Sequence, residues 1–314
     1  MTLSATHKKW IQHHIQDVKT NVAMKPFTSF DIGGTAELLA LPHTLEELNA
    51  LVAYCNETEI PYSVMGGGTN LLISDNGISG VVIGTGKLAS DIEWHVNAEK
   101  KTAEVTVWAG MKLQKLCQFA IQNGLGGLTS LIGIPGTVGG GVSMNAGTRD
   151  GCIGEYLSEV TIVGKNGDFT KIRKGQIFSG YRKFMLQGMG GLLTGPLLIA
   201  AVKFELPLMD TDILKKKATE FLKQRKATQP MSAKSAGCFF KNPPKESAGI
   251  LIDRAGLKGF RMGGAMVSEK HANFIINEQN ATAKDILDVA KTVRQTVGEK
   301  FGVWLEAEVQ VLGV

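Results

Sequence analysis

The stretch KSAGCFFKNP, residues 234–243, sets an ionisable thiol, Cys238, between a glycine and two phenylalanines, close to a lysine and a proline-stiffened turn. A cysteine in such company has two readings, a small buried hydrophobe or a thiol that exchanges protons. Two glycine clusters carry the second chemical signal. GGGTN (66–70) follows the run YSVM, and GIPGTVGGG (133–141) leads into VSMNAG (142–147). Glycines admit positive φ and let backbone N–H groups approach a phosphate, so such clusters after strands often cradle pyrophosphates; they also simply make tight turns. Neither cluster is a familiar fingerprint. No Gly-Lys is followed by Ser or Thr, which excludes a P-loop, and GIPGTVGGG lacks the GxGxxG spacing of a dinucleotide-binding βαβ unit.

Other chemistries find less support. Cys55, Cys117, Cys152 and Cys238 lie far apart with no CxxC pair, so neither zinc nor a disulfide framework is expected. His13 and His14 are neighbours, which point in different directions on a helix, and no metal is expected there. With 314 residues, 43% hydrophobic and 20% charged, the chain is long enough for two or three domains. Its formal net charge of +5 suits an anionic small molecule, but the basic residues are scattered, and nucleic acid is not an expected partner. The N-terminus lacks the apolar core of a leader and no run is long enough to span a membrane, so a cytoplasmic protein with reduced thiols is expected.

The elements that must position these groups are legible from periodicity. Trp10, Ile11, His14, Ile15 and Val18 recur at helical spacing, and a second helix starts at Thr44 with Glu47 spaced for a capping box. The runs YSVM, LLIS, GVVIG and EVTVWAG read as strands. A helix is expected over 111–122, with Cys117 on its apolar face, ending at Asn123-Gly124. Strands around TIVG and TKIR flank a hairpin turn at 165–168. The charged stretch 214–230 reads as a solvated connecting helix into a last domain, which holds the Cys238 segment, a short helix at 248–255, the strand-like HANFIIN and a helix from Thr282 to about Glu299. In the closing FGVWLEAEVQVLGV, apolar residues from Val303 to Val311 alternate with Glu306, Glu308 and Gln310, as in a strand with one face buried.

Taken in order, TSFDIGG (28–34), GGGTNLL (66–72), GIPGTVGG (133–140) with MNAG (144–147), GYR (180–182), SAGCFFKNP (235–243), AGLKG (255–259), KHANFIIN (270–277) and FGVWLEAEV (301–309) resemble the UDP-N-acetylenolpyruvoylglucosamine reductase (MurB) family. The resemblance runs from about Asn21 to the C-terminus. It implies an α+β protein with an FAD-binding fold of the vanillyl-alcohol oxidase type in two subdomains, plus a third, α+β substrate-binding domain. The expected boundaries are 1–77 joined by about 301–314, then 78–207, then 208–300. The implied reaction uses NADPH to reduce noncovalent FAD, whose N5 hydride then reduces the enolpyruvyl ether of UDP-N-acetylglucosamine to UDP-N-acetylmuramate, a cytoplasmic step of peptidoglycan precursor synthesis. The alternative reading is another flavin oxidase or dehydrogenase of this fold acting on a sugar or alcohol. Many of those attach FAD through a His near the first glycine loop, where this chain offers Thr69 and Asn70.

By motif, the resemblance assigns FAD to Gly66, Gly67, Gly68, Thr69 and Asn70, to Gly133, Ile134, Pro135, Gly136, Thr137, Gly139 and Gly140, and to Asn145, Ala146 and Gly147. It makes Arg182 the partner of the enolpyruvyl carboxylate and Glu308, in preference to Glu306, the catalytic glutamate. Tyr181, Arg225, Lys241 and Asn242 are expected to touch substrate. Cys238 stands where the family's pattern places the proton-donating Ser; a thiol, with an ordinary pKa of about 8.5, is still protonated at neutral pH and is a far stronger acid. Lys183-Phe184 follow the arginine where a Ser is expected close behind, and the short stretch from Arg182 to Cys238 resembles the class without a substrate-capping loop. A monomer is expected.

Overall fold

The Asn-Gly step at 166–167 closes a hairpin. Gly167 takes φ 82°, a conformation costly for any side chain, and strand Leu157–Val163 turns back on strand Phe169–Arg173 with Val163 opposite Phe169. This pair is one edge of a five-stranded antiparallel sheet completed by Ile199–Pro207, Thr102–Trp108 and Glu93–Asn97 in that order. This computed structural model describes residues 3–88, 91–188, 191–193 and 198–313.

The chain divides into two units. The first takes Met1–Lys19, Leu38–Gly67 and Gly80–Lys223, the second Thr20–Glu37, Gly68–Ser79 and Gln224–Val314. In the first, alternating Ala103, Val105 and Val107 put one face of the sheet onto helix Leu113–Gln122, whose Leu116 and Cys117 are fully buried with them. A second core in the same unit joins helices Ala5–His14 and Leu45–Glu57 through Ile11, Leu48, Leu51 and Cys55. There Tyr62–Met65 pairs in parallel with Ile78–Gly84. Burial pushes the Cys55 and Cys117 thiols up to about 12, so both behave as hydrophobes.

In the second unit helix Ala283–Phe301 lays Ile286, Val289, Val293 and Val297 against Phe239, Phe240, Leu251, Ile252, Leu305 and Val309. A three-stranded antiparallel sheet, Arg261–Met262, Ala265–Val267 and Ile275–Asn277, adds Val267 and Ile275 to that core, and Leu71–Ile73 pairs in parallel with Gln310–Leu312.

Four expectations need correction. The first helix stops at His14, and Val18 opens strand Val18–Ala23 instead of extending the helix. Thr44 caps its helix, but the Glu47 carboxylate takes the N–H groups of His43 (2.6 Å) and Gln16 (2.9 Å) rather than closing a box on Thr44. The charged helix, Thr211–Thr228, buries Leu214 and Ala218 in the first unit's core, so it is anchored there and not merely solvated. The terminal strand is only Gln310–Leu312; residues 303–309 follow a separate course with a single bridge, Ala307 to Phe240, and Ala307, an expected buried position, is exposed. Among the described residues no helix is long and apolar enough to cross a membrane.

Helix Ala283–Phe301 is capped at both levels of its first turn. Asp75 accepts from Ala283 N (2.8 Å) and Lys284 N (3.0 Å), and Asp285 accepts from Thr282 N (3.0 Å) and Gly264 N (3.3 Å). The Thr282 N–H, foremost, holds the Asp285 carboxyl below the usual carboxylate range. Asp285→Ala should therefore lower stability at pH 7 by about 1 kcal/mol, measured by urea denaturation. Because the folded pKa is depressed, this contribution is present above the unfolded pKa and vanishes as pH falls through the folded one, so the two proteins should converge in acid. A gap that persists undiminished in acid would show that Asp285 acts through packing instead.

Candidate active site

In the first unit the two glycine clusters meet backbone to backbone. A Cβ on Gly66 would stand 2.4 Å from Thr137 Oγ1, and one on Gly67 would stand 2.9 Å from Gly136 Cα. The second loop is strapped down by Gly136 O accepting from Leu113 N (3.0 Å), Val138 N donating to Met111 O (2.8 Å) and Gly139 N donating to Ala109 O (2.8 Å). It ends in a short helix, Val138–Ser143, for which Thr137 is the N-cap. The glycine pattern predicts only turns here, although Thr137 before the glycines is an ordinary N-cap signal. Gly139 is buried, with Ala109 Cβ 2.7 Å from where its own Cβ would be; Gly140 is exposed, and an added Cβ would meet only Thr137 Oγ1 at 3.3 Å. Ile134 packs on the core, while Pro135 is exposed.

Beyond the loop, Asn145 is buried and clasps two motifs together. Its Nδ2 donates to Gly180 O (2.7 Å), and its Oδ1 accepts from Gly154 N (3.0 Å). The GYR motif is thereby tied to MNAG. Arg182, at φ 54°, donates from Nη2 to Gly147 O (3.2 Å) and lies over the Tyr181 ring, 5.0 Å from its centre. Ala146 donates its N–H to Gly141 O at 2.7 Å, and Gly147 pairs with Cys152, whose Cβ leaves no room for another at 2.6 Å. Burial and the neighbouring Glu155 carboxylate raise the Cys152 thiol.

In the second unit the Cys238 segment is laced on both edges. On one side Glu308 N donates to Phe239 O (2.8 Å) and Lys241 N donates to Glu306 O (2.9 Å), with Phe240 bridged to Ala307. On the other, Phe239 N donates to Asn273 O (2.7 Å), and Cys238 is bridged to Phe274. Cys238 itself is half-buried, packed beside Phe274, Met266 and Ile276. The carboxylates differ. Glu306 is 78% exposed and pairs with Lys241 Nζ at 3.4 Å, whereas Glu308 is half-buried.

Asn242 Oδ1 accepts from Ala248 N (3.0 Å), tying it to the start of helix Ala248–Arg254. Arg225 carries a buried Nε that makes no hydrogen bond among the described residues; burial lowers its pKa, a shift that negative charge on nearby Cys238 opposes. Gly68, at φ 64°, brings its backbone to Phe27 O, where a Cβ would stand 1.9 Å away. Asn70 Nδ2 donates to Glu308 O (3.1 Å), and Asn70 O accepts from Gln310 N (3.0 Å), so Asn70 holds the closing segment, a role not visible in the spacing. Thr69 is half-buried between them.

Residues 36–173 match a family described as an FAD binding domain, and residues 229–312 match the UDP-N-acetylenolpyruvoylglucosamine reductase C-terminal domain. A reductase of that name from Desulfosudis oleivorans is 44% identical over 311 residues, 98% of this chain and 98% of its own. The chain belongs to the UDP-N-acetylenolpyruvoylglucosamine reductase family. The Listeria innocua reductase is 36% identical over 94% of this chain and 95% of its own. The crystal structure of the Thermus caldophilus reductase (MurB) superposes with a TM-score of 0.77 at 37% identity, covering 95% of this chain and 99% of that one. The expected fold, an FAD-binding fold with a further α+β part, is borne out.

The FAD-binding match holds both glycine clusters and MNAG, and the reductase C-terminal match holds Cys238, Lys241, Asn242 and Glu308; Arg182 and Arg225 lie outside both. The residues fit FAD. The loops present bare backbone, with Gly140 open to solvent, as a pyrophosphate requires.

The two adjacent glycines separate packing from binding. Gly140→Val should leave the melting temperature nearly unchanged yet yield FAD-depleted, pale protein, measured as flavin absorbance per chain. Gly139→Val should lower the melting temperature by forcing a side chain onto Ala109, an overpacking cost of about 1–3 kcal/mol. Full flavin occupancy in Gly140→Val would remove this loop from the cofactor site.

Proposed function

We propose that this FAD enzyme takes its reducing equivalents from NADPH, binds FAD noncovalently, and converts the enolpyruvyl ether of UDP-N-acetylglucosamine to the lactyl ether of UDP-N-acetylmuramate in the cytoplasm, as a monomer. When bound and reduced, FAD would supply the hydride for the terminal enolpyruvyl carbon. The chain's own residues handle the remaining charge and proton. Arg182, held by Gly147 O and stacked over Tyr181, offers a planar, permanently charged group to the substrate carboxylate, where negative charge grows as the hydride arrives. The Cys238 thiol gives its proton to the adjacent carbon, breaking S–H as C–H forms, and is reprotonated from solvent. Glu308 positions charge and protons opposite that donor.

Tyr181, Arg225, Lys241 and Asn242 hold the nucleotide substrate. The assignment divides the chain into FAD-binding parts, 1–77 with 301–314 and 78–207, and a substrate-binding part, 208–300. The observation that supports the chemistry best is the register between the Cys238 segment and 306–309. Glu308 N on Phe239 O brings the backbone of a carboxylate residue next to that of the thiol residue, while Glu306 turns to solvent and Lys241.

Purified protein should show a flavin spectrum, bleach anaerobically with NADPH, and recover its colour when the enolpyruvyl substrate is added. Glu308→Gln should bleach normally and recover about 10²- to 10⁴-fold more slowly, the range for a positioned acid or base. Glu306→Gln should recover at the native rate. The opposite ranking would give the role to Glu306, and failure of the native protein to recover colour would refute the reaction.

A further inference from the structure

The HANFIIN motif contributes a residue that neither the fold nor the chemistry above explains. Asn273 is buried to 1% exposure, and a buried amide must find partners for its donors and acceptor. It finds them on one neighbour: Nδ2 donates to Phe240 O (2.8 Å) and Oδ1 accepts from Phe240 N (3.0 Å). Its own carbonyl takes Phe239 N (2.7 Å), and its N–H meets His271 Nδ1 (3.3 Å). A single side chain thus satisfies both backbone groups of Phe240, acting as a strand would along the edge opposite residues 306–309.

The loop that presents it is itself fixed. Ser268 N donates to Phe274 O (2.8 Å), Phe274 N donates to His271 O (2.9 Å), and Ser268 Oγ accepts from Lys270 N (3.2 Å) and His271 N (3.4 Å). Between this loop and the 306–309 segment, the backbone on the C-terminal side of Cys238 is held on both edges.

We propose that Asn273 is a positioning residue for the reaction: by completing the backbone hydrogen bonds of Phe240 it sets where Cys238 and Glu308 stand relative to substrate. It acts through the backbone and does not touch substrate. This rests on the reading of Cys238 and Glu308 given above.

The test is rapid-mixing kinetics of the two half-reactions in Asn273→Leu and Asn273→Asp. Flavin reduction by NADPH should be unchanged in both. Flavin recovery on adding the enolpyruvyl substrate should fall on the order of 10²-fold in Asn273→Leu, the cost of a small misplacement of reacting groups. Asn273→Asp supplies a readout that general loosening would not move. Its ionised carboxylate cannot donate to Phe240 O, but the protonated acid can both donate there and accept from Phe240 N, as the amide does. The ratio of variant to native recovery rate should therefore rise as pH is lowered. Cys238, Lys241, Glu269, Lys270, His271, Glu306 and Glu308 on these bonded segments, with Lys258 near His271 and Arg225 near Cys238, are common to both proteins and divide out of that ratio.

An Asn273→Asp ratio of one at every pH, or equal slowing of both half-reactions at every pH, would overturn the proposal, even if Asn273→Leu fails to fold. Glu308→Gln measured alongside separates the two levels. Native recovery in Glu308→Gln would reject the underlying reading, whereas slow recovery there with a pH-independent Asn273→Asp would reject only the positioning role.

Discussion

The hydrogen bond from Glu308 N to Phe239 O, 2.8 Å long, joins residues 69 positions apart in sequence and sets the register on which the proposed proton chemistry depends. One such bond contributes only about 1 kcal/mol net, so it cannot hold the register alone. It is supported from below by packing. Phe239, Phe240, Leu305 and Val309 are nearly fully buried in the core built on helix Ala283–Phe301, and a shift of either segment would pull these side chains out of it. Cys238 and Glu308, each next to one of these buried residues, remain half-buried, where a group can exchange protons and still be excluded from bulk water for part of its surface.

The four cysteines show how environment separates packing from chemistry in one residue type. Cys55 and Cys117 are sealed in cores that disfavour a thiolate, and Cys152 is paired with Glu155 Oε1 at 3.2 Å, which disfavours it further. Cys238 alone lies in the segment bonded to Glu308. A thiol in place of the family's alcohol is larger and a poorer hydrogen-bond donor but a stronger acid, so it relies less on surrounding groups to release a proton and brings sensitivity to oxidation.

Much of this was legible in the sequence because it rested on local rules. The hairpin at 165–168, the helix ending at Asn123-Gly124 and the Thr282 cap follow from residues within a few positions of one another. So did the choice of glycine clusters, although spacing could not tell Gly139, packed on Ala109, from Gly140, open to solvent. What escaped depends on distant partners. Glu47 abandons its own N-cap for Gln16; Ala307 is exposed where 303–309 meets the Cys238 segment by a single bridge to Phe240; and Asn70, Asn145 and Asn273 look like loop residues until the carbonyls they serve are brought to them by the fold. Periodicity carries no information about such pairings.

The central claim is that the Cys238 thiol delivers the proton that completes substrate reduction. The most direct measurement is the anaerobic rate at which pre-reduced flavin is reoxidised by the enolpyruvyl substrate in native, Cys238→Ser and Cys238→Ala proteins, with the NADPH-driven reduction rate as control. Reduction should be the same in all three, reoxidation should be substantial in Cys238→Ser, and it should fall about 10²- to 10⁴-fold in Cys238→Ala. Native-rate reoxidation in Cys238→Ala would mean that the thiol only fills space between Gly237 and Phe239 and that the proton comes from elsewhere.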